Sequence, residues 1–176
     1  MFEIFEEMKR FNNFSEEDVE NLKSLAPVFA RHGGDITDAF YEQLANFDET
    51  AALIEGRVDS LKATHKRWMS ELFTGDYGED YFNNRRLIGD AHVRIKLSPY
   101  YVEGVMAFLR RAGLEAINTE VADTTEAQTK YQSLLKILDL DLFIINLSYS
   151  DERLNRLVKF TGMSRKLIER CINVAS

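Results

Sequence analysis

Cysteine occurs once, at Cys171, so the chain cannot form an internal disulfide, and a reducing, cytoplasmic compartment is expected. Proline occurs only twice and hydrophobic residues make up 45% of the composition, which argues against a disordered chain. At 176 residues a single domain has length enough to bury an ample core. A basic leader with an uninterrupted apolar segment is missing: MFEIFEEMKRF carries acids there, so export is not expected. The most apolar run, 134–147, is interrupted by Lys136, Asp139 and Asp141. It falls short of the ~18 clean apolar residues that a membrane-spanning helix needs. A surplus of positive charge is lacking too. The 22 Lys and Arg are outnumbered by 29 Asp and Glu, and the net charge of −7 repels a phosphate backbone, so nucleic acid is not an expected partner.

Strand signals are also absent, with no sustained two-residue alternation and no Asn-Gly or Asp-Gly hairpin turn, so the expected fold is all-α. A short amphipathic helix over 1–11 carries Phe2, Phe5 and Met8, with Phe11 following at the same spacing. Ser15 followed by Glu16, Glu17 and Asp18 starts a second helix, expected to end near Arg31 where Gly33-Gly34 breaks it. A third, from about Asp35, carries Ile36, Phe40, Tyr41 and Leu44 on one face. A helical turn over 50–55 precedes a helix over 57–73, in which Val58, Leu61, Trp68, Met69 and Leu72 form the apolar stripe and His65 follows Leu61 by one turn. After a turn at 74–78 comes the helix of LIGDAHVRIKLSP, where His92 lies within the repeat Leu87, Ile88, Ala91, Ile95. Ser98-Pro99 opens the next helix, to about Asn118. The last long helix, 126–149, is apolar around most of its circumference; beyond Asp151 a charged helical stretch is interrupted at Gly162. Residues 1–156 form the expected domain, and 157–176 a C-terminal connecting tail.

Several chemistries lack their residues. No Glu-x-x-His pair precedes His32, His65 or His92, which removes carboxylate-bridged iron sites. H-E-x-x-H, paired Cys-x-x-Cys, phosphate-cradling glycine loops and G-x-S-x-G are absent, and without C-x-x-C-H a covalently attached c-type haem is excluded. Asp139 and Asp141, two apart on one helix, share no face and make no acid/base pair. His32, beside Gly33, is expected to cap a helix end. Two histidines on separate apolar helices remain. They fit either an ordinary helical core or a pair of imidazoles facing each other across a flat cofactor, with Phe29, Phe40, Leu44, Leu61, Trp68 and Phe73 nearby.

FYEQL (40–44), LKATHKRW (61–68) and IGDAHVRIKLSPYYVEGVM (88–106), in that order and spacing, resemble the globin domain of globin-coupled sensors over roughly 29–156. The resemblance implies a globin-like helical sandwich with an extra N-terminal helix, a C-terminal linker helix, and no helix between the third and the distal one. It further implies haem b. His92 matches the proximal iron ligand, Tyr41 the distal tyrosine that donates a hydrogen bond to dioxygen, Leu61 an apolar distal position and Trp68 a large distal aromatic. Phe40, Ile88, Ile95, Tyr101 and Val105 are expected to line the cofactor, and Arg85, Arg86, Arg94 and Lys96 either to meet its propionates or to form a solvated face. The sequence departs from the family at His65, where an apolar or small residue is usual. That imidazole either takes the sixth iron position or faces solvent beside Lys62 and Lys66.

The implied function is a non-enzymatic sensor. A diatomic gas (dioxygen, carbon monoxide or nitric oxide) or a redox change at iron is reported by helix movement through a homodimer built from the last two core helices. The output lies in a separate module or partner. The rival reading is a haem-free globin-like module serving protein interactions.

Overall fold

The computed structural model describes residues 1–174, and these form helices with no strand among them. The elements are α1 (Phe2–Phe11), α2 (Glu16–Ala45), α3 (Asp48–Ile54), α4 (Val58–Glu71), α5 (Glu79–Arg94), α6 (Pro99–Glu120), α7 (Thr124–Thr161) and α8 (Arg165–Val174). None is long and apolar enough to cross a membrane among the described residues. Residues 55–57 join α3 directly to α4, so no helix intervenes there.

Local chemistry sets the ends. The Ser15 amide donates to Asp18 Oδ2 at 2.8 Å, closing a capping box, and Asp18 also accepts from Ser133 Oγ (2.8 Å) and Lys136 Nζ (2.8 Å). One buried carboxylate thus starts α2 and fastens it to α7. Asp123 caps α7 by accepting from the Glu126 amide at 2.8 Å, and Gly162 ends it with φ at 71°, in the left-handed region that glycine enters freely. Ser98 stands at the N-cap of α6 without a side-chain cap bond, and Pro99 supplies the preset first turn.

Two expected breaks do not occur. Gly33-Gly34 lies inside an unbroken α2 of 30 residues, which also passes through Pro27. Glycine costs an isolated helix about 1 kcal/mol, but α4, α6 and α7 all pack on α2, and at Gly33 the missing side chain is what admits α4. A Cβ at Gly33 would sit 3.0 Å from Met69 Sδ. Likewise α7 runs on past Tyr149 without pause, because no glycine or proline interrupts it before Gly162. In the tail, α8 folds back on α7, burying Ile168, with Arg165 Nη1 2.5 Å from Asp151 Oδ1.

The main core gathers Phe5, Leu22, Leu25, Met69, Leu72, Phe82, Ile117, Ile137 and Leu140 among others, and Phe29 stacks on Phe73 at 4.4 Å. Phe11, expected on the inner side of α1, is 79% exposed, since the helix ends as it reaches that position. A smaller apolar cluster stands apart from the main core: Phe40 and Tyr41 of α2 with Ile54 of α3, flanked by Leu44, Val58, Leu61, Val105 and Phe108.

Candidate haem site

α4 packs chiefly on α2 and α5 chiefly on α7, and the two meet through side chains. Side chains tie them at the end nearest their connecting turn. Arg85 of α5 is fully buried, donating through Nη1 to Glu71 Oε2 (2.5 Å) and through Nη2 to the Trp68 carbonyl (3.2 Å) of α4. Its Nε donates to Asp141 Oδ2 of α7 at 2.9 Å. Asp141 also accepts from Trp68 Nε1 (2.8 Å) and Tyr81 Oη (2.5 Å). Burial pulls the Arg85 guanidinium down, yet Asp141, Tyr81 and Glu71 together carry it above its usual range, so the cation stays charged. Beyond this tie, further along each helix from the turn, come His65 and His92.

His65 lies among rings. Its centroid is 4.8 Å from Phe40, 5.2 Å from Trp68 and 6.2 Å from Tyr41 edge-on. Its Nδ1 is 2.9 Å from Thr37 Oγ1, and its Nε2 is buried with no hydrogen-bond partner. The expectation of a solvent-facing ring beside Lys62 and Lys66 is therefore corrected: Lys62 turns instead to Asp38 at 2.9 Å. His92 shares a stripe of α5 with Arg85 and Ile88, and its Nδ1 is likewise buried and unpartnered. Among the described residues these are the two buried side-chain polar atoms left without a hydrogen bond.

Burial lowers the His65 pKa to about 4 and lowers that of His92, so both rings are neutral at pH 7. Burial raises the Tyr41 phenol to about 12, so it stays an O–H donor. Two neutral imidazoles, one phenol and apolar walls suit a flat, largely apolar group whose metal accepts nitrogen lone pairs, which is the chemistry of haem. No cluster of three or more His, Cys, Asp or Glu side chains that could hold a metal without such a group occurs among the described residues.

The candidate residues separate as follows. Phe40, Tyr41, Leu61 and Val105 meet in the small cluster, and His65 joins it through its ring contacts. Trp68 borders His65 while its indole nitrogen is anchored in the main core, and Ile88 packs against that core. Ile95 is 37% exposed at the end of α5, and Tyr101 lies beside Tyr100 and Phe47, outside the small cluster. Leu87 is 64% exposed: the inner face of α5 is Tyr81, Phe82, Arg85, Gly89 and Val93, rotated from the expected repeat. The propionate expectation for Arg85 is overturned by its burial against Asp141. Arg86 reaches toward the Met1 sulfur, and Arg94 and Lys96 are exposed. His32 caps nothing. It sits mid-helix with Nε2 2.8 Å from Glu120 Oε1, in a cluster that Arg31 shares. Asp139 pairs outward with Arg110 while Asp141 points inward, so the two indeed occupy different faces. Thr37, Ile54 and Phe108 belong to the site and were not expected there. Thr37 carried a signal, being one turn before Tyr41 on the same apolar face.

An all-helical chain in this element order, with a buried imidazole on each of α4 and α5, has the makings of a globin domain. The protoglobin family model matches residues 3–155, and the chain belongs to that family. The globin domain of the Geobacter sulfurreducens globin-coupled sensor superposes with a TM-score of 0.78 at 35% identity, over 82% of this chain and 96% of that one. The ferric globin domain of DosC from E. coli shares the fold, with a TM-score of 0.70 at 16% identity over 81% of this chain and 97% of that one. The heme-based aerotactic transducer HemAT of Halobacterium salinarum is 24% identical over 159 residues, 84% of this chain. The chain spans 32% of that transducer's length.

Proposed function

We propose that this domain binds haem b, with His92 as proximal ligand and His65 as a competing sixth ligand, and senses a diatomic gas or the redox state of the iron. The observation that carries the reading is the pair of buried, neutral, unpartnered imidazole nitrogens on α4 and α5. The family membership and the names of the transducer and the sensor support it. Haem, when bound, supplies an iron that exchanges a diatomic ligand or an electron, with no substrate turned over.

The chain's own residues do the rest. His92 holds the group from α5. Tyr41 would donate a hydrogen bond to a bound gas, and Phe40, Leu61 and Val105, which cluster with it, would exclude water. His65 would compete with a gas for the iron, and apparent gas affinity would then be scaled down to the fraction of molecules in which His65 is not bound to it. Movement of His92 passes to α7 because α5 lies hard against it at Gly89, where a Cβ would be 2.5 Å from Ser148 Oγ and 3.2 Å from the Ile145 Cα. Leu142, Phe143 and Leu147 of α7 stay only half-buried, which supports a homodimer in which α6 and α7 of two copies form a four-helix bundle. The globin unit is 1–156, the tail beyond it communicates with an output module or partner, and the exposed free Cys171 suits the cytoplasm.

Absorption spectroscopy tests the assignment. His65→Ala should convert a six-coordinate low-spin ferric spectrum into a five-coordinate or water-ligated one, and an unchanged spectrum would make His65 a bystander. Purified protein without a Soret band would favour the haem-free interaction module.

A further inference from the structure

Thr37 is fully buried on α2, with two polar neighbours and a single hydroxyl proton. The Gly33 carbonyl lies 2.7 Å from its Oγ1 and can only accept, so the hydroxyl proton goes there. What remains toward His65 is a lone pair, and the 2.9 Å contact to Nδ1 is a hydrogen bond only if Nδ1 carries the imidazole proton. A neutral imidazole has one N–H. Nε2 is therefore a bare lone pair, buried and facing no donor. The pairing is held by helix approach: Gly33 meets Met69 one turn from where Thr37 meets His65, and the missing Cβ at Gly33 lets α2 and α4 come together there.

We propose that Thr37 is a positioning residue that fixes His65 in the Nδ1–H tautomer, making Nε2 an acceptor-only face that can ligate a metal but cannot donate a hydrogen bond to a gas ligand. The tautomer stands on the hydrogen-bond geometry alone, and its use as a sixth ligand rests on the haem reading above. His65 is then a competitor of the gas rather than its stabiliser, and Tyr41 remains as donor. Outer partners of this kind orient metal-binding histidines and set which nitrogen is free.

Nitrogen-15 NMR of the imidazoles in the haem-free chain reads the tautomer directly. The expected result is a protonated Nδ1 and a lone-pair Nε2 for His65, a mixture of tautomers in Thr37→Val, and recovery in Thr37→Ser. In the haem-loaded ferric protein, Thr37→Val should lower the equilibrium constant for His65 ligation about tenfold, read from the low-spin fraction, with Thr37→Ser restoring it. A wild-type His65 protonated at Nε2, or a Thr37→Val chain with an unaltered tautomer, would overturn the proposal. An unchanged ferric spectrum in His65→Ala would sink only the sixth-ligand reading, because the tautomer is measured without haem.

Discussion

Two buried polar regions adjoin at Trp68, which bonds Asp141 and borders His65, and are built on opposite terms. Around Asp141 one carboxylate receives an indole N–H, a phenol O–H and a guanidinium N–H, and the cation's remaining arms reach Glu71 and the Trp68 carbonyl. At the two histidines, His65 Nε2 and His92 Nδ1 are buried with nothing to bond. A saturated network has no capacity left for a ligand and serves to tie α4, α5 and α7 together. The two histidines keep theirs, each with one buried nitrogen still to be satisfied. Damage to the first should therefore appear as lost stability, and damage to the second as lost binding.

The largest expected effect lies in the network. Asp141→Ala leaves the Arg85 charge buried without its main partner and should cost about 4 kcal/mol in denaturant unfolding; a loss below about 1 kcal/mol would show that the network is not what ties the helices. The two histidines should respond to acid instead. His65 in the unfolded chain takes its proton near 6.5, but in the folded chain only at about 4. Its contribution is therefore complete above pH 6.5 and lost as pH falls toward 4, about 3 kcal/mol in the haem-free protein. The lowered His92 pKa adds in the same sense. Denaturant midpoints across that window check this, and His65→Phe should flatten the slope.

Gly89→Ala tests the contact between α5 and α7. The added methyl meets Ser148 and the Ile145 backbone, and should cost about 2 kcal/mol as α5 is pushed outward. The smallest effect is at Tyr41. Tyr41→Phe removes one hydrogen bond, about 1 kcal/mol, so dioxygen should leave about fivefold faster in stopped-flow measurements. Equal rates would remove its donor role.

The all-helical class and most of the helices were legible because apolar spacing and the lack of strand signals depend only on local sequence, whereas spacing alone left His65 and His92 equally compatible with an ordinary helical core, and the resemblance singled them out. What was hidden came from contacts distant in the chain. Gly33-Gly34 reads as a break, and only the approach of Met69 makes it a packing surface within a longer helix. Asp141 reads as an interruption of an apolar run and Arg85 as a surface charge; each is buried because the other is there. An acid set between Leu140 and Leu142 on the apolar side of α7 was itself the available signal, since such groups are almost never fully buried unless paired. Thr37 was passed over for a similar reason. Its role depends on which atoms of α4 arrive beside it.

The most direct test of the central claim is the haem content of purified wild-type protein against His92→Ala, read from the Soret band and the haem-to-protein ratio. The account predicts one haem per chain in the wild type and loss of stable haem in the variant. Equal haem content in the two, or a colourless wild type that takes up no added haem, would contradict it.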